Sequence, residues 1–138
     1  MAASVSREEL GILALNGEVF VRQISGAFEI ELDYSASSLF LLDGLARDLR
    51  GLASGWLGDR ERDVVYECAA RMGYYIGEVL CRHFGGRWVR AEGLLPYVVD
   101  LEGRDLQVLD WACNAFEGIS GAVSSEARQI LKCAVQAN

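Results

Sequence analysis

Apolar and polar positions along the chain change period several times, and each change marks an element. Ser6 and Glu9 stand three apart, the spacing of a capping box, and Asn16-Gly17 reads as the stop of a short helix that carries the run LGILAL. EVFVRQISGAFEIELD then reads as strand material with a turn at Ser25-Gly26. Its second half alternates, with Phe28, Ile30 and Leu32 on one face and Glu29, Glu31 and Asp33 on the other. A helix follows, opened by a serine between Ser35 and Ser38. At roughly 100° per residue it gathers Leu39, Leu42, Leu45, Ala46, Leu49, Leu52 and Ala53 on one face, with Asp43 and Arg47 paired on the other.

The longest helical pattern runs from about Asp59 to Phe84 and divides into three sectors. The widest is apolar: Val64, Val65, Cys68, Ala69, Met72, Ile76, Val79 and Leu80, with His83 inside it as a hydrogen-bonded core histidine and Tyr75 at its edge. Ala70, Gly73, Gly77 and Cys81 form a second sector of small side chains. Each mid-helix glycine costs about 1 kcal/mol relative to alanine, so a neighbour's close approach must compensate. The third sector holds Glu67, Arg71, Tyr74, Glu78 and Arg82, with the pairs Glu67–Arg71 and Glu78–Arg82 in the favourable acid-before-base order. A glutamate among arginines is expected to have a lowered pKa. Gly85-Gly86 reads as the C-cap.

Beyond it, RWVRA, LPYVVDL and RDLQVLD read as strands, with turns at Glu92-Gly93 and Glu102-Gly103 and with Pro96 at an edge or a strand start. Helix returns from Trp111, breaks at Gly118 to Gly121, and resumes from Ser124 or Ser125 to about Val135 with Ala127, Ile130, Leu131 and Ala134 inward. The pattern predicts one α+β domain over residues 1–138, its long central helix packed between other helices and a small antiparallel sheet.

Composition narrows the function. With 138 residues, 51% of them hydrophobic and only one proline, the chain can bury a core without staples. A net charge of −7 disfavours nucleic acid and anionic lipid as partners. The acid excess lies in residues 1–69, which carry 12 acidic and 6 basic side chains, and it points to a basic protein partner. No apolar run reaches the roughly 20 residues of a membrane span, and MAASVSREEL has no signal-peptide pattern, so a cytoplasmic location is expected. Cys68, Cys81, Cys113 and Cys133 lack metal-ligand spacing and read as reduced, mostly buried thiols; neither a metal nor another cofactor is expected. Trp56 and Trp111, if exposed, would mark an interface.

The chemistry-bearing residues crowd into YYIGEVLCRHFGGRW. Arg82, His83, Arg87 and Arg90 could form an anion patch, while Glu78 and His83 are the candidates for acid–base work. Nucleophile elbow, phosphate loop and dinucleotide fingerprint are absent.

Two stretches resemble a group of small bacterial proteins without an assigned activity, whose pattern is L-D-Y-S-x-x-S-L followed by Y-x-G-E and G-G-x-W. The matching positions are Leu32, Asp33, Tyr34, Ser35, Ser38, Leu39, Tyr75, Gly77, Glu78, Gly85, Gly86 and Trp88, within residues 30–100. The tail departs from the group's N-P-F-like helix start, reading VLDWACNAF. The resemblance implies an α+β module and supplies no catalytic residue. It also implies a structural hydrogen bond from Glu78 to Tyr34 or to backbone near Trp88. Together these readings favour a small acidic non-enzymatic protein-interaction module, of accessory or immunity type. A regulator binding an anion or small molecule, and an enzyme using Glu78 and His83, are the alternatives.

Overall fold

The computed structural model describes residues 3–53, 61–91 and 96–137. In chain order the elements are β1 (Ala3–Ser4), α1 (Arg7–Phe28), a 3-10 helix (Ala36–Leu41), α2 (Leu42–Ala53), α3 (Glu61–His83), β2 (Arg87–Arg90), β3 (Tyr97–Leu101), β4 (Arg104–Leu106), α4 (Val108–Phe116) and α5 (Ser124–Ala137). The fold is α+β. Strands β2, β3 and β4 make an antiparallel meander, and the two-residue β1 joins the outer edge of β2.

The core is organised around α3, which packs against α1, α4, α2 and the sheet. Ala69, Met72, Tyr75, Ile76, Val79 and Leu80 are all buried, as the apolar sector requires. The small sector is used as its glycines suggest. A methyl group on Gly73 would lie 2.9 Å from the Leu109 Cα of α4, and one on Gly77 would lie 2.0 Å from the Trp88 ring of β2. Helix and sheet therefore clasp α3 from two sides, at separations only glycine permits.

The largest difference from the sequence reading is α1. Ser6 and Glu9 do form the capping box, but the helix continues through Asn16-Gly17 to Phe28. Its buried positions, Leu13, Gly17, Phe20 and Ile24, recur at helical spacing. Asn16 stays inside the helix by donating from Nδ2 to the Ile12 carbonyl at 2.9 Å. Gly17 is buried against α3, though an added Cβ would meet the Tyr75 Cα at an ordinary contact distance of 3.5 Å. The alternation at 28–33 survives without a strand. Leu32 is buried, Phe28 and Ile30 are half-buried, and Glu29, Glu31 and Asp33 face solvent from a connector outside any sheet.

Smaller departures have local causes. Asp43 does not serve Arg47; its two carboxylate oxygens accept from the Val123 and Ser124 amides at 3.1 and 2.9 Å and so cap α5. Leu52, placed on the inner face of α2, is exposed. The third strand ends at Leu106, and α4 starts at Val108 after Gln107, which makes no side-chain cap bond. The Glu102-Gly103 turn has φ of 52° and 81°, the paired positive values of a two-residue hairpin. Pro96 precedes β3. Ala127 and Ile130 are buried and Leu131 half-buried, whereas Ala134, Trp56 and the Glu92-Gly93 turn lie outside the residues whose environment is described. Trp111 is 8% exposed and marks no surface.

Candidate functional site

Two polar systems and one cleft hold the side chains with chemistry. The first system is centred on Glu9, in the first turn of α1. Its carboxylate accepts from Arg90, with Nε at 3.1 Å, and from the Tyr97 hydroxyl at 2.9 Å, while also closing the capping box on the Ser6 amide. These donors hold its pKa down to about 2, the Arg90 hydrogen bond first among them. Glu9 thus ties α1 to β2 and β3. A carboxylate with a depressed folded-state pKa adds stability above its ordinary range and loses it as pH falls through the folded value. Glu9→Gln is therefore expected to lower Tm at pH 7, with a gap that narrows below pH 4.5 and closes near pH 2; melts across that range check it. A gap constant with pH would contradict it.

The second system is buried. Tyr75, fully enclosed, accepts from the Tyr34 amide at 3.0 Å and lies 2.6 Å from the Ser38 hydroxyl, which donates to the Ser35 carbonyl. Since Ser38 spends its hydrogen on Ser35, Tyr75 donates to Ser38, and the relay is satisfied end to end. Tyr34 itself holds φ of 62°, a left-handed conformation unusual for a tyrosine. Its hydroxyl donates to Glu18 at 2.8 Å and its ring carries the Arg82 guanidinium 3.7 Å from its centroid.

The anion-patch residues do not converge. Arg87 is 3.1 Å from Asp100 and Arg90 is paired with Glu9, while Arg82 lies over the Tyr34 ring, 3.8 Å from Glu78, so the guanidiniums turn to separate partners. His83 is exposed at the end of α3, not in the core, because the last buried turn ends at Leu80, whose carbonyl receives the Phe84 and Gly86 amides. Gly85 turns the chain there with φ of 75°. Glu67–Arg71 is present at 3.3 Å.

Glu78 differs from its sequence reading in two respects. Burial pushes its pKa up, and the attraction of Arg82 at 3.8 Å is too weak to reverse that. Nor does it bond to Tyr34, whose hydroxyl goes to Glu18, or to another described residue. It instead lines a cleft of about 450 Å³ with Val5, Leu10, Cys81, Gly86, Arg87, Trp88 and Val89. That cleft brings Glu78 beside Cys81 but not His83. Burial lifts the Cys81 thiol to about 12, which leaves it protonated and unreactive at neutral pH. Cys68 and Cys113, half-buried, are raised by burial too, and Cys133 is exposed. Among the described residues no group of His, Cys, Asp and Glu is arranged to hold a metal, and no helix is long and apolar enough to cross a membrane.

Sequence reasoning missed Val5 and Leu10 as cleft walls and Glu9 as a hub, because their partners lie more than 60 residues away. It also missed the outer face of α1, where Ile12 and Leu15 are 55% and 61% exposed. The run LGILAL carried that signal, since two apolar residues remain after the inner positions are filled. A scan against protein-family models and searches of curated proteins and of solved structures find no match to this chain.

Proposed function

We propose that the chain is a small acidic protein-interaction module that docks a basic partner protein through the outer face of α1. One observation carries this reading: Ile12 and Leu15, with half-buried Val19 beyond them, form an apolar strip on the side of α1 opposite Leu13, Gly17, Phe20 and Ile24. Nothing in the fold requires these side chains to be apolar. Leaving them in water forfeits about 1.5–3 kcal/mol each that burial against a partner would recover. Glu8 and partly exposed Glu18 flank the strip. Glu31 stands beside Arg22 and Gly26 where the face meets the connector, in a shallow hollow of about 390 Å³. Glu18 is paired with Arg22 at 3.7 Å, so it is Glu8, Glu31 and the net charge of −7 that favour a partner with an apolar centre and a basic rim. Supporting a non-enzymatic role, the cleft assembles no acid–base pair and holds an unreactive thiol.

The test replaces both strip residues, Ile12→Asp with Leu15→Asp. Because both are exposed, stability is expected to change by no more than about 0.5 kcal/mol. The parent chain is expected to retain a basic protein from a lysate of its native cell at low salt, to release it as salt rises, and to lose it altogether in the double variant. Equal retention by parent and variant, no retained protein, or concentration-dependent self-association abolished by the same variant would overturn the reading.

A further inference from the structure

We infer that the cleft between the start of α1, α3 and β2 is a binding site for a small organic cation, an ammonium group carried on an apolar body. The inference is separate from the α1 surface and rests on the shape and chemistry of the cleft. Its volume of about 450 Å³ lies in the range of small-molecule sites, roughly 300–1,000 Å³. Val5, Leu10 and Val89 supply apolar walls, Trp88 an aromatic one, and Glu78 the acidic group.

Glu78 decides which ligand fits. The residue is 9% exposed, and its carboxylate makes no hydrogen bond to any described residue. Arg82 is beyond hydrogen-bond distance and is held over the Tyr34 ring. The carboxylate is largely screened from water and burial pushes its pKa up, while its Cγ packs against α1 at Gly17, where an added methyl would sit 3.5 Å away. The Glu78 oxygens still meet solvent through the cleft, whereas Trp88, which lines the same cleft, has its indole Nε1 sealed from solvent with no partner among the described residues. A donor entering the cleft would reach the carboxylate and give it the hydrogen bond it lacks.

An ammonium at the floor would give Glu78 a charge-assisted hydrogen bond, and its apolar body would cover Leu10 and Val5. Arg87 at the rim does not oppose entry, since Asp100 neutralises it at 3.1 Å, and the net charge of −7 attracts cations from a distance. An anion would meet Glu78 without a free guanidinium to hold it.

The probes are benzylammonium, neutral benzyl alcohol and benzoate, titrated into the 138-residue protein and followed by amide and indole shifts. Benzylammonium is expected to bind saturably with Kd of about 1 mM or below, as a fragment of its size allows. The shifts should centre on Glu78, Cys81 and Trp88. Glu78→Gln should weaken benzylammonium by about tenfold or more while leaving benzyl alcohol unchanged. Leu10→Trp, filling the cleft from its exposed mouth, should abolish binding with the carboxylate intact, which keeps the inference testable should the Glu78 variant fold poorly. Benzyl alcohol or benzoate binding as tightly as benzylammonium, shifts mapping elsewhere, no saturable binding, or unchanged affinity in both variants would overturn the inference.

Discussion

Replacing Gly77 with alanine is expected to destabilise the protein by about 2–4 kcal/mol, even though alanine is the better helix former by about 1 kcal/mol. The added methyl would sit 2.0 and 2.1 Å from two ring carbons of Trp88, less than any carbon pair tolerates. The ring has no room to retreat, because Tyr74 and Tyr97 back it at centroid distances of 6.0 and 6.3 Å. Trp88 must therefore leave its seat, and the loss approaches that of deleting a core tryptophan, about 3–5 kcal/mol before the propensity gain is set against it. Gly11 is the internal control. It is also mid-helix, but nothing lies within 4 Å of a methyl placed there, so Gly11→Ala should stabilise by about 0.5–1 kcal/mol. Denaturant melts of the two variants should move in opposite directions; movement in the same direction would contradict the packing described.

Tyr75→Phe is the second large effect, about 1–3 kcal/mol lost, though it removes a single oxygen. That oxygen receives the Tyr34 amide and serves Ser38, both buried, and phenylalanine leaves the buried amide without its acceptor. Tyr34 also holds its left-handed φ only because its surroundings over-determine it. Releasing its N–H should loosen the connector from Glu29 to Ser35, so amide exchange is expected to quicken there more than in α4 or α5. A variant as stable as the parent, with unchanged exchange at Tyr34, would refute this role.

How much of this was legible in the chain depended on how far each side chain reaches. Helix α3 is legible in its apolar and small sectors, because they follow one period and its two glycines announce close neighbours, but not at His83, which is exposed, or Glu78, which is buried. Gly17 reads as a helix stop, since Asn-Gly is also turn chemistry; only the burial of Gly17 inside a continuing helix distinguishes the two. The β-branched run after it then looked like a strand, although Leu13, Phe20 and Ile24 keep the helical spacing. Asp43 looked like the partner of Arg47 by local rule and in fact caps a helix eighty residues later. The stretches around Tyr34 and Tyr75 stood out as sequence patterns. The structure joins them through one hydroxyl, which gives both a packing role. For the site, Glu78 was visible, but its apolar company was not: Val5 and Leu10 reach it only after α1 folds back across α3. Burial then reverses the pKa direction that the neighbouring arginine alone would suggest.

The fold depends most on α3 being clasped at its glycines, and a double-mutant cycle between Gly77→Ala and Trp88→Leu measures that directly. Leucine lacks the ring carbons that the new methyl would strike. In the Trp88→Leu background the alanine is therefore expected to be neutral or to stabilise by up to about 1 kcal/mol, giving a coupling of about 3 kcal/mol. If Gly77→Ala costs the same in both backgrounds, to within about 0.5 kcal/mol, Trp88 does not lie against Gly77 and the central packing is wrong.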